Sequence, residues 1–257
     1  MSESGDLARE TEGGLDPVLV ADIESAVDDG DRRWLVRGLA RRHPADAADL
    51  LESLSLDRFG AAIALLNEEF PPEILIELRD EYRVVAVESL ADPVVCAALD
   101  SLDSDDAAVV LQDLEDDRRA RILETLEPGE RTVLEQSLDF DEETAGRLMQ
   151  REFVAAPEFW TVGHTVDHAR GHGGDLPDQF YDIYVVDPAF RVKGVVPLSG
   201  LLKTPRDVAL SDIMLDVQAK ISTDMDQEEV AFLFQKYHLA SAPVIDSSDR
   251  IKGMITV

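Results

Sequence analysis

One segment of this chain is written twice. Ile183 to Leu201 reads IYVVDPAFRVKGVVPLSGL, and Ala242 to Val257 reads APVIDSSDRIKGMITV. In each, an apolar run ends at an aspartate (Asp187, Asp246), a short polar turn follows, and a basic residue leads through hydrophobic-Lys-Gly into a second apolar run. Self-similarity of this kind constrains the fold more than composition does, because one structural solution must serve both copies. Short apolar runs bounded by turn residues predict strand, turn, strand. Each copy follows a helix-like segment, so the repeating unit is one helix plus two strands.

Ahead of the repeat, from about Leu15 to Phe140, the pattern is helical. Ala47, Leu50, Leu51 and Leu54 recur at spacings of three and four, as do Ala107, Val110, Leu111 and Leu114. Such spacing turns one stripe of each segment toward a core. HPADAADLLESL at His43 and DSDDAAVVLQDL at Asp103 open alike, with small acidic or polar residues before Ala-Ala and then leucines. Pro44, Pro71, Pro72, Pro93 and Pro128 fall near segment boundaries, where proline starts a helix without losing a hydrogen bond. The expectation is a stack of short antiparallel helices, a modest α-solenoid; an ordinary helical bundle differs little at this level. Residues 1–14 are polar and Gly-rich without apolar period and are expected to be a disordered tail.

Within the first copy, Phe153-Val154 is expected to open a strand and Trp160 to Ala169 a helix with Val162, Val166 and Ala169 on one side, ended by Gly171, Gly173 and Gly174. Strands are expected at about Phe180 to Val186 and Arg191 to Val196, then a helix at Leu198 to Lys203. The second copy begins near Asp212, with a strand near Ala219 to Ser222. Its helix is marked by Asp226 as cap, Glu229 as the partner in a capping box, and Val230, Leu233, Phe234 and Tyr237 as the buried stripe.

The net charge of −30, from 54 acidic against 24 basic residues, repels phosphate backbones and argues against nucleic-acid binding. It attracts cations. Adaptation to concentrated salt would give the same surface, and total charge does not separate the two readings. The single cysteine, Cys96, excludes an internal disulfide and a Cys-based zinc site and is comfortable in a reducing compartment. The N-terminus lacks the basic and apolar regions of a signal peptide, and no run approaches the ~18 apolar residues of a membrane helix. A cytoplasmic location is the expectation.

The pattern D-x-x-x-R-h-x-G-h-h in both copies resembles a tandem CBS module. DEETAGRLMQREFV at Asp141 to Val154, together with DMDQEEVAFLFQKY at Asp224 to Tyr237, is similar to the cytoplasmic region of the MgtE family of magnesium channels and transporters. The resemblance covers roughly Leu15 to Val257. It implies a multidomain α plus α/β architecture: a helical superhelical N domain over 15–140, a first CBS motif over 141–213, and a second over 214–257 that looks cut within its last element. It also implies a cytosolic Mg2+-sensing regulatory region, a homodimer through CBS faces, and a membrane pore domain outside this chain, which would place the region at the cytosolic face of the cell membrane.

Aligned by those motifs, the family's N-domain acidic positions fall on Glu73 and Asp105, and its CBS-side positions on Asp226 and Glu228. Magnesium takes oxygen ligands, often one or two carboxylates with water filling the rest; Ca2+ or Mn2+ could stand in its place. Each acid also has an ordinary structural use: Glu73 and Asp105 sit in first turns, where an acid meets the helix dipole favourably, and Asp226 is a cap. The chain departs from the family at Val109 and His238, where acids are expected, and at Gly146-Arg147, where the signature has Gly-Gly.

A CBS pair can also hold an adenine nucleotide between its units, and a free-standing nucleotide-sensing CBS protein is the rival reading. The ribose-binding aspartate is replaced by Gly200 after Ser199 in the first copy, and an expected aromatic is Asp182. These changes argue against nucleotide binding and leave Thr256 as the surviving polar candidate. His164, His168 and His172, spaced by four, would align three imidazoles on a continuous helix, but the glycines that follow and the lack of a completing carboxylate favour a solvated row. No nucleophile elbow, phosphate loop or metalloprotease pattern is present, so catalysis is not expected.

Overall fold

The computed structural model describes residues 15–172, 176–177 and 180–257. The expected tail 1–14 and the glycines Gly173 and Gly174 lie outside the described residues. The chain divides into two compact units: residues through Leu102 together with Val109–Leu126, and Asp103–Ala108 together with Glu127–Val257.

The first unit is helical: α1 Pro17–Asp28, α2 Arg32–Leu39, α3 Pro44–Glu52, α4 Leu56–Leu66, α5 Glu73–Glu77, α6 Asp80–Ser89, α7 Asp92–Leu99, the second half of α8 (Ser104–Gln112) and α9 Asp116–Thr125. Local chemistry sets the boundaries. Asp16 and Asp31 accept from Val18 N and Trp34 N at the starts of α1 and α2, and Pro44 occupies the first turn of α3, where its missing N–H costs nothing. Neighbours in the stack alternate, with α3 against α5, α4 against α1 and α6, and α7 against α9. Both predicted stripes are buried, Leu50 and Leu51 completely. Arg118 donates to the carbonyls of Val87 and Leu90 at 2.8 and 2.6 Å and pairs with Asp92, so a guanidinium caps the end of α6.

The second unit adds α10 Pro128–Leu138, α11 Ala145–Leu148, α12 Val162–Gly171, α13 Leu198–Lys203 and α14 Gln227–Tyr237 to two three-stranded sheets. One sheet orders β1 Ala155–Pro157, β2 Asp182–Val186 and β3 Val192–Pro197; the other orders β4 Ile221–Ser222, β5 Ser241–Ile245 and β6 Ile251–Thr256. In both, the first pair is parallel and the second antiparallel, and the register slips at equivalent points, Val185/Val186 and Val244/Ile245. The first strand begins at Ala155, two residues later than expected, although Tyr184 N already donates to Val154 O at 2.8 Å. Tyr237, expected in the buried stripe of α14, is 41% exposed; the Lys236 ammonium lies 5.1 Å from its ring.

Each copy has its own core. Val162, Ile183, Val185, Val196 and Leu201 fill the first, and Ile221, Val230, Phe234 and Val244 the second. A third cluster, Tyr184, Val186, Val192, Ile251 and Met254, draws from both. The linker between α10 and β1, residues 139–154, is fastened to the second copy: Ala145 N and Gly146 N donate to Met225 O and Thr223 O, both at 2.8 Å. A Cβ on Gly146 would stand 2.4 Å from the Phe140 ring, which accounts for that glycine. Its neighbour Arg147 is buried and donates to Ser137 O at 3.0 Å, so the arginine that departs from the family pattern does structural work.

Candidate functional site

Asp105 lies in the first turn of α8, in the part of that helix belonging to the second unit. Its carboxyl is pushed up to about 7, chiefly by burial and further by Asp106 and Asp103, against hydrogen bonds from the backbone N–H groups of Asp106 and of Asp105 itself. Its Oδ1 is buried without a hydrogen-bond partner. An acid withdrawn from water and missing a partner is costly, and a cation supplying the absent charge would relieve it. The segment is held from the other side of the unit: Ser104 N and Oγ donate to Glu152 Oε2 at 3.2 and 2.8 Å, and Arg151 N donates to Ser104 Oγ at 2.7 Å.

Asp226 and Glu228 open α14. Asp226 Oδ1 accepts from Glu228 N at 2.8 Å, the second backbone N–H of the helix, where the capping box places the bond on the third. Asp226 and Glu228 are exposed. Glu228 shares a cleft of about 560 Å³ with Thr256, between α14 and the end of β6, where Val230, Phe234 and Ile255 supply an apolar floor. Glu73 is exposed at the first position of α5 in the first unit. Thus Glu228 and Thr256 come together, Asp226 stands two residues before Glu228, and Glu73 belongs to the other unit. Among the described residues no group of three or more His, Cys, Asp or Glu side chains is arranged to hold a metal.

Two departures also acquire a place. Val109 is half-buried in the second turn of α8. His238 closes α14 in the left-handed region, φ 53°, with its N–H donating to Phe234 O; its position serves a helix end.

A polar contact absent from the sequence reading joins the two copies. Tyr184, 1% exposed, donates its hydroxyl to Ser241 Oγ at 3.0 Å, and Ser241 donates to Asp182 Oδ2 at 2.6 Å. Burial, with Asp182 assisting against the Ser241 hydrogen bond, pushes the Tyr184 phenol well above its ordinary range. Asp182 and Ser241 occupy equivalent places in the two copies, each immediately before the apolar run. That equivalence was the available signal: residues at matching positions of a two-fold repeat meet near its axis.

The three histidines are exposed, yet not merely solvated. Trp160 sits 4.3 Å from the His164 ring and 4.9 Å from the His168 ring, and His168 lies 4.2 Å from His172. The helix ends at Gly171, as the glycines suggested, and His172 is its cap. Among the described residues no helix is long and apolar enough to cross a membrane.

Comparison with known proteins matches two family profiles: the MgtE intracellular N domain over residues 42–143 and the CBS domain over residues 210–257. The magnesium transporter MgtE of Thermus thermophilus is 37% identical over 118 residues, 46% of this chain, and that of Enterococcus faecalis 31% identical over 120 residues. These alignments span 26% of either transporter, about a quarter of its length. A crystal structure described as the cytosolic domain of the Mg2+ channel MgtE in complex with ATP superposes with a TM-score of 0.81 at 31% identity, covering 93% of this chain and 97% of that one. A second, the soluble part of a magnesium transporter, gives 0.76 at 21% identity and shares the fold. With the helical domain and one CBS domain matched by family profiles, and 93% of the chain matched at 31% identity by the cytosolic domain of an MgtE channel, the chain belongs to the MgtE family.

Proposed function

We propose that this chain is the Mg2+-sensing cytosolic regulatory region of a magnesium channel or transporter, working at the cytosolic face of a membrane pore domain and paired with a second copy through its CBS faces. The observation that carries the reading is the agreement, at 31% identity over 93% of the chain, with the cytosolic domain of a Mg2+ channel. Asp105 supplies the chemistry: a half-buried carboxylate with one oxygen buried and lacking a partner is a fitting ligand for a hard cation. Glu73, Asp226 and Glu228 are the further ligands, with water completing the shell; Ca2+ or Mn2+ would be accepted in the same way. Two carboxylates about 4 Å apart repel by roughly 4 kcal/mol at an effective dielectric near 20. An ion between an acid of the helical domain and one of the CBS pair reverses that sign, so Mg2+ occupancy favours a compact, closed state and its loss a separated one.

Small-angle scattering in Mg2+ against chelator, at matched ionic strength, should give a smaller radius of gyration with Mg2+, and Asp105→Asn should weaken that response. Equal radii in both buffers would sink the reading. Without metal, the raised carboxyl of Asp105 gives a definite sign. The native state holds the proton more tightly than the unfolded one, so this stabilisation is complete below the ordinary value of 3.8 and is lost as pH rises through about 7. The Asp105→Asn chain should lack that loss in a thermal melt series.

A second reading rests on the ATP present in the related cytosolic domain. In it the CBS pair binds an adenine nucleotide, with Thr256 as a polar contact, and the chain acts as a nucleotide-responsive regulator. Calorimetric titration with ATP and AMP separates the two: saturable nucleotide heat with no Mg2+-dependent compaction would favour this second reading.

A further inference from the structure

Three of the five histidines of the chain fall within one short segment at the start of the first CBS copy. His164 and His168 lie on one face of α12, and His172 continues the row at its cap. All three are exposed. The His168 and His172 rings are 4.2 Å apart and tilted by 35°. His172 Nδ1 lies 2.9 Å from the carbonyl oxygen of His168. A carbonyl only accepts, so in the neutral imidazole that contact places the proton on Nδ1 and leaves the lone pair on His172 Nε2. A ring nitrogen that donates to a backbone carbonyl while its partner stays unprotonated is the arrangement in which histidine binds a metal.

We propose that His168 and His172 form a two-imidazole site for a borderline divalent transition metal, Zn2+, Ni2+ or Cu2+, with water completing the shell and His164 one turn away. Imidazole suits these ions, whereas Mg2+ takes oxygen and dehydrates reluctantly. The site therefore belongs to a different class of cation from the carboxylate set. The chain as a whole carries a net charge of −30; on the helix itself Asp167 pairs with Arg206 at 2.6 Å and Arg170 adds a positive charge, so the imidazole nitrogens and not the local charge would hold the ion. The absence of a third converging ligand among the described residues makes this an exchangeable, solvent-facing site and not a structural one.

Trp160 is a built-in reporter, because its indole lies 4.9 Å from the His168 ring and the only other tryptophan is Trp34. In the untagged Trp34→Phe chain, Cu2+ should quench Trp160 fluorescence saturably in the presence of millimolar Mg2+. His168→Gln or His172→Gln should weaken that binding at least about tenfold, while His43→Gln and His238→Gln leave it unchanged. Should Trp34→Phe compromise folding, Zn2+ calorimetry on the chain with both tryptophans gives the same answer: one binding event, lost in His168→Gln. Quenching or heat that survives both His168→Gln and His172→Gln, or that Mg2+ displaces, would overturn the proposal.

Discussion

The two CBS copies solve the same problem with different side chains, and the differences separate what the repeat requires from what each copy adds. Both hairpins turn at an aspartate whose Oδ1 gathers two backbone N–H groups: Asp187 from Ala189 and Arg191, Asp246 from Ser248 and Arg250. Both place the residue before the basic position in the left-handed region, Phe190 at φ 61° and Asp249 at 62°. These turns meet. Val192 N donates to Asp249 O and Ile251 N to Phe190 O, so the two-fold relation is closed by backbone bonds. The copies diverge between helix and strand: ten residues connect α12 to β2, and three connect α14 to β5. The longer connection begins with His172, and the helix before it carries His164 and His168 where α14 carries no histidine, so the imidazole row belongs to the first copy alone.

The largest expected effect concerns the glycine after each lysine. A Cβ on Gly253 would stand 2.5 Å from Gln150 O, and one on Gly194 would stand 2.9 Å from Leu215 O. Backbone atoms yield less readily than side chains, so Gly253→Ala should cost about 3 kcal/mol and Gly194→Ala about 1 to 2. Thermal and urea unfolding of both variants checks the order. Equal costs would mean that the second copy is no more tightly packed against the linker than the first is against its own neighbours.

Next comes the contact at the axis. Ser241→Ala leaves the buried Tyr184 hydroxyl without its acceptor and Asp182 without its donor, which should cost about 2 kcal/mol. Tyr184→Phe removes only one bond and should cost about 1 kcal/mol. A double-mutant cycle tests whether the two act through one another. If the losses simply add, the chain of three side chains is two independent contacts.

The turns give a third difference. Aspartate and asparagine tolerate the left-handed region through local hydrogen bonding, and phenylalanine does not. Phe190 is 57% exposed and leaves little packing behind, so Phe190→Asn should stabilise by about 1 kcal/mol. Asp249→Asn should be near neutral. Unfolding free energies of the two variants decide it; a loss at Phe190 would show that its ring is held by something worth more than the strain.

What could be read in advance follows the same line. The hairpins, the α13 boundaries and the solenoid stripes were legible because each depends on spacing alone: a stripe of Ala47, Leu50, Leu51 and Leu54 has one way to be buried. The acids were harder. Glu73, Asp226 and Glu228 sit at helix starts, where an acid is favourable whatever else it does, so neither spacing nor exposure distinguishes a ligand from a cap. Asp105 shares that position and differs by burial, which arises from tertiary packing and leaves no local trace. The row of histidines was visible, but the ring of Trp160 beside it and the carbonyl that fixes the His172 tautomer were not. Tyr237 failed for a related reason: periodicity gives a face of the helix, while the width of the buried strip is set by what packs against it.

The smallest expected effect compares the two turn aspartates by charge. Asp187 is held below the ordinary carboxylate range mainly by the Arg191 N–H, with Ala189 N–H adding to it against partial desolvation. At Asp246 desolvation pushes upward, and the N–H groups of Ser248 and Arg250 together with the Arg250 guanidinium outweigh it. A carboxyl lowered in the native state stabilises it above the ordinary value of 3.8 and loses that contribution as pH falls through the native one. Asn retains the Oδ1 acceptor and removes the charge. Asp246→Asn therefore also breaks the pair with Arg250, 3.0 Å away, and Asp187→Asn does not break a comparable one among the described ion pairs. At neutral pH and low salt Asp246→Asn should lower the melting temperature slightly more than Asp187→Asn. High salt should close that gap, since exposed pairs are screened, and acid should erase both effects. A gap that persists in salt and acid would assign the asymmetry to packing at the turn and not to charge.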